Sequence, residues 1–254
     1  MLKLVKYELR KNRTALLVLL AILVALEAYF LLSVSRQSDA DVIIAMSLLS
    51  LAIVGCSFAV FIFGISSYSG ELKRKSSYLI FMTPNSTLSV IVSKLLFTLV
   101  IAMCFSGLAI ALMVVDVPVT AQAYGEWEGY FVLFDSLLLQ QGISVHEILI
   151  SLVLSLAEMF LQLLSYVGVA YLSITISATV LNGRKGRGFL SFAIFCAITY
   201  GLACISGLYS YISYEAREAV SYIGLLAPAL LQSIVVLAVS TVLSAWMLKK
   251  HVAL

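Results

Sequence analysis

Six apolar stretches of about 20 residues or more dominate this sequence, at 14–34, 43–68, 88–115, 148–180, 189–208 and 225–248. A bilayer's hydrocarbon core is about 30 Å thick, so each stretch has the length of one crossing. No water reaches the backbone there, and a helix is the only single-segment conformation that satisfies its own N–H and C=O groups. The alternating ten-residue segments of an outer-membrane barrel are absent. With 62% hydrophobic and 11% charged residues, too little polar surface remains for a soluble enzyme, a disordered chain or a disulfide-stapled secreted domain. The expectation is an all-α polytopic membrane protein, one transmembrane domain over 1–254 with six transmembrane helices.

The cations sort by face. Of the 16 Lys and Arg residues, all but Arg36 and Arg217 fall before the first stretch, between the second and third or, for Lys94, in the opening turns of the third, between the fourth and fifth, or after the sixth. Asp39, Asp41, Asp116, Glu126, Glu128, Asp135, Glu147, Glu215 and Glu218 gather in the remaining connections. Cytoplasmic flanks retain lysine and arginine during insertion, so both termini are expected in the cytoplasm. The basic balance is then topogenic, and no nucleic-acid partner is implied. The first apolar run exceeds the core of a secretory signal and lacks a clear small-x-small cleavage site, so it reads as a retained span.

Cys56, Cys104, Cys196 and Cys204 all fall inside apolar stretches and act there as small apolar residues; no Cys/His grouping suggests a metal. The loop 182–188 (Asn-Gly-Arg-Lys-Gly-Arg-Gly) is glycine-rich, but neither it nor any other segment has the G-x-x-x-x-G-K-[ST] order. The chain has no P-loop for ATP, and its loop cations are suited to lipid phosphates.

Two basic segments carry more information. In 1–13, Leu2, Val5 and Leu9 share roughly one helical face while Lys3, Lys6, Arg10 and Arg13 lie on others, as in a helix lying in the inner interface; a plain topogenic tail is the alternative. Residues 71–94 read as two short helices broken before Pro84, which disfavours helix at Thr83. The first has a charged end, Glu71, Lys73, Arg74 and Lys75, and an apolar-aromatic end, Tyr78, Leu79, Phe81 and Met82. Such a knob suits a groove on a cytoplasmic partner; without one it suits the membrane surface.

Two carboxylates interrupt spans, Glu27 and Glu158, and an ionised group there costs at least about 2.5 kcal/mol without a partner, water or a proton. At 1.5 Å per residue, Glu27 lies about 12 Å from Ser35 and Glu158 about 16 Å from Glu147, in the outer half. They line an acidic vestibule for cationic or amphipathic cargo, or merely hydrogen-bond to neighbours. The outer segment 116–147 is acidic and aromatic and suits short interfacial helices acting as a gate or a packing cap. Spans four and five carry many small residues, which permit close helix approach.

The order of elements resembles the ABC-2 type permease subunits of ABC exporters: a basic amphipathic start, six spans, E-L-K-x-K-S-x-Y-L-x-x-x-T-P-N-S…K after the second, and an outer segment before the sixth. Nearly the whole chain is covered, and Glu71, Ser76 (often glycine in relatives), Leu79, Thr83-Pro84 and Lys94 match the loose family pattern. The resemblance implies an elbow helix at 1–13 and a coupling helix at 71–83 that sits in a cleft of a separate ATPase. It further implies a re-entrant hairpin of outer helices at 209–224 and a homodimer seam along spans five and one; Tyr211 and Tyr214 in that hairpin would either face the pore or belong to an aromatic belt at the outer interface. Two copies of the ATPase would bind ATP and Mg; the chain itself would be no enzyme and hold no cofactor. Its compact form is similar to bacterial peptide and antibiotic exporters of the cytoplasmic membrane.

Three competing readings differ in chemistry. An intramembrane serine protease needs G-x-S-G and a histidine on another span, whereas Gly64-Ile65-Ser66-Ser67 departs from it and His146 and His251 lie at membrane edges. An ion-coupled transporter with inverted repeats remains open, although no internal repeat is evident. So does a membrane immunity protein that binds a peptide without moving it.

Overall fold

The computed structural model describes residues 2–73, 87–125, 127, 145–180, 186–215 and 222–251, with side-chain surroundings given for all of these but 2–3, 71–73, 145, 147–148, 209–215, 222–225 and 251. The described residues form seven helices and no strand: α1 (Leu2–Lys11), α2 (Arg13–Ser35), α3 (Asp39–Lys73), α4 (Thr87–Tyr124), α5 (Val145–Val180), α6 (Arg187–Glu215) and α7 (Tyr222–His251). Helices α2 to α7 are each long and apolar enough to cross a membrane. The protein is an all-helical, multi-pass membrane protein.

Several helices outrun the apolar stretches that announce them. Helix α4 continues past residue 115, through Pro118, to Tyr124. Proline removes one helical N–H, a loss that membrane helices tolerate where side chains re-satisfy the backbone. The carbonyl that loses its helical donor is that of Val114; Thr120 Oγ1, two residues after the proline, donates instead to the carbonyls of Asp116 (2.8 Å) and Val117 (2.9 Å). Helix α6 likewise carries on past 208 to Glu215. Between α2 and α3 the chain reverses at Gln37, whose φ of 52° lies in the left-handed region.

The chain divides into two compact units. One comprises 9–60 and 100–149. In it Phe30 and Val34 of α2 pack on Val42 and Ala45 of α3, with Val119 and Ala123 of α4 alongside.

The other unit comprises 1–8, 61–99 and 150–254. Its core joins Tyr68, Ile91, Leu95, Leu164, Val167, Tyr171, Ala245 and Leu248, from α3, α4, α5 and α7. The Tyr68 and Tyr171 rings stack with centroids 4.3 Å apart. Their hydroxyls are satisfied across the same interface: Tyr68 Oη pairs with Thr175 Oγ1 at 2.6 Å, and Tyr171 Oη donates to the Gly64 carbonyl at 3.0 Å. Buried tyrosines need such partners, and these fix the register of α3 on α5. Two glycines let backbones close in, Gly64 against Thr98 and Gly168 against Ser240.

Large apolar side chains otherwise face outward, among them Leu51, Met113, Tyr200 and Leu231. On a soluble protein such surface would demand a partner; on membrane spans it meets acyl chains. In α6 no residue of the apolar core stretch is buried within the chain.

Candidate functional site

Helix α1 buries Val5 and Glu8, one turn apart on one face, while Lys6, Tyr7, Arg10 and Lys11 are exposed. The buried face thus includes the expected Val5, with Leu9 half-buried, and adds an acid, Glu8, that the apolar pattern does not announce; the surroundings of the Leu2 side chain lie outside the described residues. Glu8 meets Lys94 of α4, Nζ to Oε1 at 3.0 Å, with both side chains almost fully withdrawn from solvent. Ser67 of α3 completes the group: it accepts from Lys94 Nζ at 3.0 Å and donates to Glu8 Oε2 at 2.9 Å. Lys94 Nζ also reaches the Ser67 carbonyl at 3.2 Å. The ammonium's three N–H groups and both carboxylate oxygens are therefore engaged. A buried ion pair requires this completeness, because desolvation otherwise exceeds the Coulombic gain.

The location matters more than the pair itself. Ser67 stands near the end of α3 and Lys94 near the start of α4, the two helices that flank the expected coupling segment. Glu71 and Lys73 lie in the last turn of α3, with their side chains outside the described residues. Arg74, Lys75, Tyr78, Leu79, Phe81 and Met82 also lie outside the described residues.

Glu27 of α2 and Asp116 of α4 bring their carboxyl groups close to one another. Each retains one buried oxygen, Glu27 Oε2 and Asp116 Oδ1, without a partner. Asp116 also borders a cavity of about 540 Å³ with Phe30, Met46, Leu49, Met113 and Thr120 on its walls. Because an ionised carboxylate only accepts, contact between two of them needs a proton on one. Glu158, on α5, is partly buried and belongs to the other unit. Tyr211 and Tyr214 fall in the last turns of α6, and the surroundings of their side chains are outside the described residues.

Sequence reasoning passed over Glu8 and Asp116. Glu8 is the one acid in 1–13, and Asp116 abuts an apolar run, so each carried a signal that was absorbed into a larger pattern. Among the described residues no group of three or more His, Cys, Asp or Glu side chains could hold a metal ion. No protein-family model, curated protein or solved structure matches the chain.

Proposed function

We propose that the chain is the transmembrane permease subunit of an ATP-binding-cassette exporter. It pairs with a second copy of itself and with two copies of a separate ATPase, and moves amphipathic substrates, peptides or toxins, out across a bacterial cytoplasmic membrane. The observation that carries this reading is the buried Glu8–Ser67–Lys94 group, which ties α1 to both helices flanking 74–86. A segment that receives a push from a partner transmits it only if its two stems move together. Cross-tying α3 to α4 through a desolvated ion pair supplies that stiffness, and α1 braces the joint from the membrane surface. The lack of a P-loop fits a division of labour in which the partner binds ATP. Helix α6, with its exposed Gly201, Ala203, Ser206 and Gly207, supplies the seam between two copies.

The test is to tag the chain, solubilise native membranes mildly and ask what comes with it. A P-loop ATPase in about equal amount, hydrolysing ATP, is expected. A chain that emerges alone and transports without ATP is an ion-coupled carrier; one that binds a peptide without transport is an immunity protein.

A further inference from the structure

Helices α3, α5 and α6 enclose a cavity of about 310 Å³, open on one side. Its walls divide chemically. Phe61 and Phe195, with ring centroids 6.2 Å apart, and Phe192 line the apolar part; Arg187, Ser69 and Ser191 line the polar part. One guanidinium N–H of Arg187 donates to the Ala178 carbonyl at 3.3 Å, which holds the cation at the end of α5 and leaves further N–H donors for another acceptor. Ser173 and Ser177, also on the wall, return their hydroxyls to carbonyls of their own helix, Ala170 O and Ile174 O. Among the described residues Ser69 and Ser191 have no such bond.

The cavity opens where a lipid would approach. Phe192 is 65% exposed and Phe189, one turn before it, 81%. Arg187 belongs to the run Arg184, Lys185, Arg187 that marks the cytoplasmic side in the positive-inside reading. A fixed cation with hydroxyls at the interfacial end and aromatic rings toward the hydrocarbon end match the two parts of a phospholipid, an anionic head and an acyl chain. Basic recesses between membrane helices on the cytoplasmic side hold acidic headgroups by the same logic.

We infer that this recess is a binding site for an acidic phospholipid of the inner leaflet, whose phosphate Arg187 and Ser191 receive and whose chain lies along Phe192 and Phe195. The inference stands whether or not an ATPase joins the chain. To test it, the full chain is reconstituted in nanodiscs of mixed phosphatidylcholine and phosphatidylglycerol, washed with mild detergent, and the lipid retained per protein is counted by mass spectrometry. Phosphatidylglycerol is expected to be retained over phosphatidylcholine, with Arg187→Gln lowering its retention about fivefold, the factor one interfacial cation contributes. Ser191→Phe fills the recess and keeps the cation, and retention should fall there too; this second variant serves if Arg187→Gln does not fold. Lys249→Gln/Lys250→Gln removes two cations at another helix end and should change little. Equal retention of the two lipids, undiminished retention in both recess variants, or an equal loss in the double lysine variant would overturn the site in favour of unspecific adsorption.

Discussion

Lys94 and Glu8 form an ion pair at 3.0 Å that is almost wholly cut off from solvent, between a helix at the very start of the chain and the helix after residue 86. Removing one partner leaves the other charge buried and unpaired, which costs about 3–5 kcal/mol, whereas replacing both by apolar residues of similar volume is near neutral. Glu8→Leu and Lys94→Met alone should each lower the thermal midpoint in detergent, and the double variant should recover most of the loss. On the proposed exporter reading, a double variant whose transport stays coupled to a co-purified ATPase would mean that the pair serves folding alone, and a stable but uncoupled one that the cross-tie transmits force.

Two glycines sit at close helix approaches, yet they should respond differently to alanine. A methyl on Gly64 would meet Thr98 Oγ1 at 2.7 Å and Cγ2 at 3.1 Å, two branches that no rotamer clears together. On Gly168 the close neighbour is Ser240 Oγ at 2.5 Å, a single atom that can swing away, with Cβ at a comfortable 3.6 Å. Gly64→Ala should therefore cost about 1–3 kcal/mol and be rescued by Thr98→Ala, while Gly168→Ala should be mild. Comparing the midpoints of these three variants checks the packing directly.

The six spans were legible in the sequence because a bilayer imposes length and apolarity on each helix separately, with no need to know its neighbours. What holds the spans to one another was not. In the sequence Lys94 counts only toward orientation and the loose family pattern, since a charge at a membrane edge has that use by default, and its burial against Glu8 depends on a contact 86 positions away. The helix end at Tyr124 was hidden because the apolar run stops at Asp116, while the helix itself continues through Pro118, which a membrane helix accommodates. Small residues of 165–178 announced close packing, but only the fold assigns Tyr171 and Thr175 to the stack with Tyr68.

That stack offers a graded test. Tyr68→Phe keeps the ring and removes only the hydroxyl that meets Thr175, so the expected loss is about 1 kcal/mol. Tyr68→Ala opens a void between α3 and α5 and should cost about 3–5 kcal/mol. Similar losses for the two would mean that the hydroxyl, and not the ring, holds the interface.

A hydrogen bond between Glu27 and Asp116 needs a donor that neither carboxylate has when ionised. Glu27→Gln supplies an N–H of its own, so it should leave stability unchanged or raise it. Glu27→Leu strands Asp116 beside an apolar cavity and should cost about 1–3 kcal/mol. Transport assays on the stable Glu27→Gln variant then separate structure from cargo recognition, because the amide retains the shape and loses the charge that a cationic substrate would meet.

The coupling reading makes a demand on residues 71–83 that stability measurements alone do not. If Tyr78 and Leu79 form the apolar end of a knob in an ATPase cleft, Tyr78→Ala and Leu79→Asp should lower recovery of the ATPase with the tagged chain while the chain keeps its thermal midpoint. Hot-spot truncations of this kind cost about 2 kcal/mol or more, some thirtyfold in affinity, which a pull-down resolves. Charge reversal at Lys73 and Lys75, on the rim, should instead act mainly on the salt dependence of recovery. Unchanged recovery in both apolar variants would separate 71–83 from any ATPase and leave the buried Glu8–Lys94 tie as a structural brace for the membrane domain alone.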